Sequence, residues 1–205
     1  MPFAIKETVG KELDRLEADG IIEKIESSDW AAPIVSIPKG DGSIRICGDY
    51  KVTINPFLIV DQHPLPKPEE LFSSLSGGQK FSKIDLSHAY QQMVLEEDSR
   101  KYVVINTHKG LYRYTRLPFG IASAPAVFQR TMDTILQGIP NVLCYLDDIL
   151  ITGLSEKEHL QNLEEVLKRL QQHGIKVKAN KCVFDQDSVE YLGHVIDKRL
   201  HTYIE

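Results

Sequence analysis

Two adjacent aspartates, Asp147 and Asp148, lie between two short apolar arms at residues 142–146 and 149–151. The arms contain β-branched and other apolar residues, so they predict two buried strands joined by a turn that presents both carboxylates. Because neighbouring like charges repel each other, such a turn either faces water or holds a bound cation. Taken alone, the pattern fits both explanations equally, since aspartate is also common in solvated turns.

The rest of the chain supplies further elements through apolar periodicity and turn residues. The predicted helical segments are 6–18, 69–75, 88–93, 125–137 and the stretch between Ser155 and Gly174. The predicted strands are 31–38, 43–50, 79–86, 101–107, 111–116, the two arms of the acidic hairpin, 181–184 and 189–195. We expect the last two strands to pair as a closing hairpin. Residues 54–68 are rich in proline and predict a connector. This order of elements predicts an α+β fold, in which helices cover one face of an antiparallel sheet.

The helix after the acidic hairpin has the clearest internal pattern. Ser155 and Glu158 have the spacing of a capping box, which predicts where the helix begins. Its apolar positions recur at helical spacing and are expected to face inward. They are Leu160, Leu163, Val166, Leu167 and Leu170.

Composition narrows the class of protein. A chain of 205 residues with 42% hydrophobic content can form one domain, or one domain with an attached lobe. It has no apolar run of about 20 residues and no secretory leader pattern, which predicts an intracellular protein that does not enter a membrane. Its three cysteines form no C-x-x-C pair and are expected to be reduced thiols. The net charge of −5 argues mildly against a polyanion binder, although residues 101–132 include no acidic side chain.

A third carboxylate, that of Asp85, could combine with the acidic pair to bind metal ions. Asp85 ends the predicted strand 79–86, about 60 residues before the pair, and would meet it if the two strands lie side by side. Three carboxylates around one point can hold two divalent cations roughly 3.5–4 Å apart, as in enzymes of phosphoryl transfer. Mg²⁺ is favoured, because it is a hard ion that binds a few carboxylates together with substrate phosphates.

Three segments, in this order, carry a resemblance to a known family. They are Phe81-Ser-Lys-Ile-Asp-Leu-Ser-His-Ala-Tyr90, Leu117-Pro-Phe-Gly-Ile-Ala-Ser-Ala-Pro-Ala-Val-Phe-Gln129 and Tyr145-Leu-Asp-Asp148. They resemble the successive polymerase motifs of reverse transcriptases, most closely those of gypsy-type LTR retrotransposon Pol polyproteins. The resemblance covers nearly the whole chain, since residues 30–50 look like the fingers hairpin and 189–195 like the primer grip.

The resemblance implies a division into subdomains. Residues 1–78 would be the fingers with the connector, and 79–205 mostly the palm, with 95–125 contributing to the fingers–palm junction. The palm is expected to contain the antiparallel sheet. The thumb, connection and RNase H domains are expected to be absent, so the chain is interpreted as a fragment, a decayed copy or a domesticated copy.

The resemblance also implies roles for single residues. Asp85, Asp147 and Asp148 would be catalytic and would bind metal, with the backbone carbonyl of Leu86 completing the ligands of one ion. Tyr90 would exclude a ribose 2′-hydroxyl, although a core tyrosine is the alternative. The remaining nucleotide-binding candidates are Lys39, Arg45, Leu86, Phe119 and Gly120, and the primer-grip candidates are Leu192, Gly193 and His194. For Lys39 the alternative is a solvated lysine, and for Leu192 a core strand residue.

The implied function is RNA-directed DNA synthesis, with two Mg²⁺ ions as cofactors and Mn²⁺ as a substitute. The implied partners are an RNA or DNA template with its primer, dNTPs, and the other Pol domains, namely the thumb, RNase H and integrase. The expected location is the cytoplasm, including virus-like particles, with the nucleus as an alternative. Two other hypotheses are a non-catalytic module that binds nucleic acid or a partner, and an RNA polymerase palm, which Tyr90 disfavours.

Overall fold

The structure, a computed structural model, describes residues 5–40, 42–60, 63–66 and 75–198, and the backbone of 202–203. The chain forms two compact units. The first unit is Met1–Gln62 with Tyr90–Pro125, and the second is His63–Ala89 with Ala126–Glu205. The identification of fingers and palm within them stays a prediction. The predicted helix at 69–75 lies outside the described residues, except for Leu75.

The described α-helices are α1 (Lys6–Ala18), α2 (Glu97–Arg100), α3 (Ala124–Leu136) and α4 (Glu156–Gln172). The described strands are β1 (Ile22–Ile25), β2 (Ala31–Pro38), β3 (Ile44–Gly48), β4 (Lys80–Asp85), β5 (Val104–Thr107), β6 (Gly110–Tyr114), β7 (Val142–Tyr145), β8 (Asp148–Gly153), β9 (Val183–Gln186), β10 (Ser188–Tyr191), β11 (His194–Asp197) and β12 (Thr202–Tyr203). The predicted α+β class is therefore confirmed. No helix in the described part of the chain is long and apolar enough to cross a membrane.

In the first unit, α1 packs against a five-stranded sheet. The helix has the predicted bounds, buries Val9, Leu13 and Leu16, and contacts β1 and β3. Each such buried side chain contributes roughly 1.5–3 kcal/mol relative to exposure, which makes this face the main attachment of the helix. The sheet has the order β1-β6-β5-β2-β3 and includes a parallel pair, β2 with β5. The sequence pattern predicted both hairpins of this sheet but neither β1 nor the parallel pair.

The second unit contains an antiparallel sheet with the order β7-β8-β4-β9. α4 packs against β8 and β4. A smaller sheet, β10-β11-β12, lies in the same unit. The two sheets share a buried cluster of apolar side chains. Its members are Leu75, Phe81, Leu150, Val189, Tyr191 and Ile196.

The predicted closing hairpin is wrong in its pairing. Residues 183–186 form β9, which pairs with β4 rather than with the next strand. The stretch predicted as one strand over 189–195 folds back on itself, because β10 and β11 pair around a two-residue turn. In that turn Leu192 and Gly193 have φ values of 51° and 75°, which only glycine adopts without strain. The turn could not be predicted from the apolar pattern, because a leucine occupies one of its two positions.

The predicted inward face of α4 is partly wrong. Leu160 and Leu167 are 50% and 40% exposed, whereas Val166 and Leu170 are buried as predicted. The buried face instead includes two polar residues, His159 and Asn162. Both have partners there: the Asn162 amide donates to the carbonyl oxygen of Thr152 at 2.9 Å, and the His159 ring bonds to Ser82 at 2.8 Å. The atoms that are paired in this way can be buried at little cost, whereas His159 Nδ1 makes no hydrogen bond within the described residues.

The N-terminus of α4 confirms half of the predicted capping box. The Ser155 hydroxyl accepts a hydrogen bond from the Glu158 backbone N–H at 3.2 Å. The Glu158 carboxylate accepts from the backbone N–H of Leu154 rather than Ser155, at 3.0 Å. It also accepts from the Asn141 side chain at 2.9 Å. This glutamate therefore ties the start of α4 to the residue that precedes β7.

The buried histidine in this unit predicts a loss of stability in mild acid. The His159 side chain has no exposed surface, its Nε2 lies 2.8 Å from Ser82 Oγ, and its Nδ1 lies 3.8 Å from Asp185 Oδ1. Burial lowers the pKa of His159 below its usual 6.5, and Lys80 adds to this against the opposite effect of Asp185. The unfolded chain then binds a proton more readily than the folded chain does, so this contribution is complete above about pH 6.5 and is lost as the pH falls further. We expect the urea concentration at the unfolding midpoint to be lower at pH 5 than at pH 7.5. The decrease should be smaller in His159→Gln. Equal pH dependence in the two proteins would contradict this.

Candidate functional site

The acidic residues meet at one end of the second unit's sheet. Asp85 is the last residue of β4, Asp148 is the first residue of β8, and the two are paired directly across the antiparallel strands. Asp147 lies beside them in the two-residue turn between β7 and β8. β4 and β8 are therefore neighbours, as is necessary for the three carboxylates to lie close together.

Hydrogen bonds hold the backbone of the acidic turn on several sides. The Leu146 N–H donates to Gln129 Oε1 at 2.9 Å, and the Leu86 N–H donates to the Asp147 carbonyl oxygen at 2.7 Å. The buried Cys144 thiol donates to the Leu146 carbonyl oxygen at 3.4 Å. Burial raises the pKa of this thiol well above its usual value, so the thiol keeps its hydrogen. The turn is therefore fixed by its backbone, and the aspartate side chains are left for other interactions.

The segment after β4 is fixed as well. The Asp85 carbonyl oxygen accepts from the Lys178 N–H at 2.8 Å, and the Ser87 N–H donates to the Lys176 carbonyl oxygen at 3.0 Å. Between these two bonds lies Leu86, whose side chain is buried. The residue predicted to offer a backbone carbonyl to a metal ion thus sits in a well-defined stretch of chain.

The charges at this edge are partly balanced by lysines. Asp147 is exposed and Asp148 is half-buried, and Lys181 Nζ lies 3.5 Å from Asp85 Oδ2. Burial raises the pKa of the Asp148 carboxyl above its usual value. The positive charges of Lys83 and Lys181 oppose this rise in pKa, whereas the negative charges of Asp147 and Asp85 add to it. The concentration of negative charge that the sequence predicted is therefore present at this position.

The donor set fits a hard divalent cation in its chemistry. Asp85, Asp147 and Asp148 offer carboxylate oxygens, which are the ligands that Mg²⁺ prefers. Within the described residues, no three His, Cys, Asp or Glu side chains stand so that they could together hold a metal ion. The structure thus brings the three aspartates to one sheet edge, and their role as metal ligands stays a prediction.

Three of the predicted nucleotide-binding residues form a stack in the first unit. The rings of Tyr90 and Phe119 have centroids 5.2 Å apart at 51°, and the Arg45 guanidinium carbon lies 4.7 Å from the Phe119 ring centroid. A guanidinium over an aromatic ring is attracted by the ring quadrupole, which orients the arginine while its nitrogens stay free to bind phosphate oxygens. Lys39 lies in the turn between β2 and β3, where its backbone N–H donates to the Ser43 carbonyl oxygen at 2.8 Å.

The loop that carries Phe119 is clamped by Asn55. The Asn55 amide donates to the Gly120 carbonyl oxygen at 2.8 Å and accepts from the Ala122 N–H at 3.0 Å. Gly120 has a φ of 103°, and a Cβ there would lie 2.3 Å from the carbonyl oxygen of Gly48. Glycine is therefore required at this position by the backbone conformation and by the close approach of the Gly48 carbonyl oxygen.

Gly120→Ala is expected to lower the free energy of unfolding by roughly 2–4 kcal/mol, because it adds both backbone strain and a clash with a main-chain oxygen. Gly20→Ala is the matched control in the same unit, since Gly20 also has a positive φ, of 67°, but no atom within 4 Å of the added Cβ. The control should cost only about 1–2 kcal/mol. Urea unfolding of both variants measures the difference. Equal losses would mean that the clash is relieved by a small shift of the loop.

The predicted primer-grip residues lie at the β10–β11 hairpin. Leu192 and Gly193 form its turn, and His194 begins β11 opposite Tyr191. The Leu192 side chain is partly buried and packs against the apolar cluster of the second unit, but Leu192 lies in the turn and not, as the alternative supposed, in a strand. A leucine held at positive φ is nevertheless strained, and such strain is concentrated at functional sites.

Sequence reasoning missed three residues that support these sites. Gln129 bonds to the acidic turn, Asn55 clamps the Phe119 loop, and Lys181 pairs with Asp85. Gln129 is the last residue of the second motif, but its position there does not show which backbone groups its amide binds. Asn55 and Lys181 lie in the short 3₁₀ helices Asn55–Phe57 and Ala179–Lys181, which are too short for residue spacing to indicate tertiary partners.

Comparison with known proteins identifies the family. Residues 37–196 match the family described as reverse transcriptase (RNA-dependent DNA polymerase). An uncharacterized protein of Caenorhabditis elegans is 44% identical over 197 residues, which are 95% of this chain and 16% of that protein. The retrovirus-related Pol polyprotein from transposon 412 of Drosophila melanogaster is 34% identical over 201 residues, which are 94% of this chain and 16% of the polyprotein. The chain thus spans about a sixth of the length of these relatives.

The fold has solved counterparts. The foamy viral protease-reverse transcriptase in complex with dsDNA is similar with a TM-score of 0.91 and 26% identity, over 100% of this chain and 42% of that one. The same enzyme in complex with RNA/DNA hybrid gives a TM-score of 0.88 and 27% identity, over 97% of this chain and 26% of that one. The motifs, the paired aspartates, the fold and the family match agree, and the chain belongs to the reverse transcriptase family, with relatives among LTR retrotransposon Pol polyproteins.

Proposed function

We propose that this chain carries the polymerase site of a retrotransposon Pol polyprotein and extends a primer 3′-hydroxyl with dNTPs on an RNA template. The observation that carries the proposal is the pairing of Asp85 with Asp148 across β4 and β8, with Asp147 in the adjoining turn. Three carboxylates at one sheet edge, in a chain that belongs to the reverse transcriptase family, have an evident use in nucleotidyl transfer.

Nucleic acid is the proposed partner of the chain. The foamy viral enzyme was solved in complex with RNA/DNA hybrid and with dsDNA, and its similarity over nearly the whole chain supports the same class of ligand here. A template with its primer and dNTPs would be the substrates. The remaining Pol domains are proposed as covalent or non-covalent partners, and the first and second units are proposed to correspond mainly to fingers and palm.

The family uses divalent metal ions, and we assign them to the three aspartates, with Mg²⁺ preferred and Mn²⁺ as a substitute. When bound, such ions supply Lewis acidity and offset the charge that develops during in-line displacement at the α-phosphate. Asp85 and Asp147 would be the principal ligands, Asp148 the third carboxylate, and Leu86 would offer its backbone carbonyl. The fixed backbone on both sides of this edge keeps the aspartates in place without cost during the reaction.

The first unit is proposed to bind the nucleotide. Arg45, oriented by the Phe119 ring, would bind triphosphate oxygens through its planar guanidinium, and Lys39 would add a second cation. Phe119 and Gly120 would line the nucleotide and template base, and Tyr90 would close the space beside the sugar. Leu192, Gly193 and His194 would contact the primer strand.

Primer extension on an RNA template tests the proposal. The 205-residue chain and a longer version with the thumb would be compared in Mg²⁺, in Mn²⁺ and with chelator, using dNTPs. We expect metal-dependent extension in at least the longer version, since the thumb adds contacts to the nucleic acid backbone that raise affinity. Failure of the longer version in both metals, while it still binds the template–primer, would refute catalysis and favour a binding module.

A further inference from the structure

The turn that presents Asp147 is under backbone strain. Leu146 has a φ of 53° in a two-residue loop between paired strands. A leucine in the left-handed region costs roughly 1–2 kcal/mol relative to an ordinary conformation, so surrounding contacts must hold it there. The question is which side chain supplies that restraint.

Gln129 on α3 supplies the stronger of the two side-chain hydrogen bonds to this residue, since the other is the weaker thiol bond from Cys144 to the Leu146 carbonyl oxygen. It has no exposed surface, and its Oε1 accepts from the Leu146 N–H at 2.9 Å. Its Nε2 donates to the carbonyl oxygen of Cys144 at 2.8 Å and to Asp133 Oδ1 at 2.8 Å. One amide thus binds the backbone on both sides of Tyr145, immediately before the acidic pair.

The two partners of Nε2 fix the orientation of the amide. Both are acceptors, a carbonyl and a carboxylate, whereas the partner of Oε1 is a donor. A flipped amide would put its oxygen against two acceptors and its nitrogen against an N–H, which is unfavourable at both ends. Asp133 therefore adds to the Cys144 carbonyl and the Leu146 N–H in setting which way the Gln129 amide points.

A further bond anchors Asp133 from outside the helix. His63 Nε2 lies 2.7 Å from Asp133 Oδ2, and His63 belongs to the connector before β4. The connector, α3 and the acidic turn are joined in this way by consecutive hydrogen bonds, His63 to Asp133, Asp133 to Gln129, and Gln129 to the turn. His63 thus restrains the Asp133 carboxylate, and Asp133 in turn restrains the Gln129 amide.

We propose that Gln129 is a positioning residue for polymerisation, which holds the strained acidic turn in place, and that Asp133 and His63 hold Gln129. This inference rests on the proposed function of the aspartates, but the restraint on the turn can be measured without catalysis. Gln129 acts through the backbone of Leu146 and Cys144 and not through contact with substrate.

The experiment compares Gln129→Leu with Asn162→Leu. Asn162 is the matched control, because it too is a buried helix amide that donates to the backbone of this hairpin, at Thr152 on the far end of β8. Amide hydrogen exchange of Leu146, measured by NMR, should become about tenfold faster in Gln129→Leu and stay unchanged in Asn162→Leu. Equal exchange of this amide in wild type and Gln129→Leu would overturn the proposal, whatever the enzyme activity is.

The kinetic comparison separates positioning from general stability. In the thumb-bearing protein, Gln129→Leu should lower kcat roughly 10- to 100-fold with little change in the KM for dNTP, as expected when support of a catalytic group is lost. Asn162→Leu should lower thermal stability to a similar extent with kcat retained. Asp133→Asn keeps an oxygen acceptor for Gln129 and should retain most activity. Asp133→Leu removes one of the two acceptors of Gln129 Nε2 and should change kcat and the exchange of Leu146 in the same direction as Gln129→Leu, by a smaller factor. If Asn162→Leu loses kcat as severely as Gln129→Leu, the effect is structural and the proposal fails. Should Gln129→Leu not fold, Asp133→Leu takes its place in both measurements.

Discussion

Asp147→Asn is expected to reduce primer extension at least about a thousandfold, because a neutral amide replaces an anionic ligand where charge must be offset during transfer. The backbone bonds of the turn do not use the Asp147 carboxylate, and the side chain is exposed. The fold and the affinity for template–primer should therefore be retained. Single-turnover extension on an RNA template, with the thumb-bearing protein in Mg²⁺, measures the effect.

Asp187→Asn is the matched control for this prediction. Asp187 is an exposed carboxylate of the same unit that pairs with Lys80 at 2.9 Å, away from the acidic turn. Its replacement removes the same charge from the protein and should leave the extension rate within about twofold, since an exposed ion pair contributes little. If the two variants extend the primer equally well, Asp147 is not a metal ligand and the site lies elsewhere.

The acidic hairpin could be predicted from sequence because its signal is local. Two apolar arms of strand length flank the polar pair, and a hairpin is the simplest fold for such a segment. The helix at 6–18 was predictable for the same reason, since its buried positions follow one period from end to end. Strand pairing between distant segments was much less predictable. The pairing of β9 with β4 and of β2 with β5 depends on which edge is available, which periodicity does not encode.

The roles of polar residues in the core were the hardest to predict. His159 and Asn162 are buried on α4 where leucines were expected, because each forms a hydrogen bond with a residue of the sheet. The motifs indicated Asp85, Tyr90, Phe119 and Asp147 as site residues. They could not show that Arg45 stacks on Phe119 or that Gln129 binds the backbone of Leu146. Those contacts arise from tertiary packing, and they determine how rigidly the site residues are held.

The aromatic stack leads to the second large prediction, which concerns the choice of sugar. The Tyr90 ring lies against Phe119, and the Arg45 guanidinium lies over the Phe119 ring. If Tyr90 closes the space beside the sugar, Tyr90→Ala should open room for a 2′-hydroxyl. The preference for dNTP over rNTP, as the ratio of kcat/KM values, should then fall about 10- to 200-fold, which is the range for one small group in a tight pocket.

Two further variants make the sugar prediction specific. Tyr90→Phe keeps the ring and should keep the preference for dNTP. Tyr102→Ala removes another tyrosine of the first unit, one that packs against Trp30 at 5.3 Å, and should leave the preference unchanged. The measurement is competitive insertion of a dNTP and the matching rNTP at one template position. If Tyr90→Ala discriminates as well as wild type, Tyr90 is a packing residue and another group selects the sugar. If Tyr102→Ala shifts the ratio equally, the effect reflects general loosening of the unit rather than a wall at Tyr90.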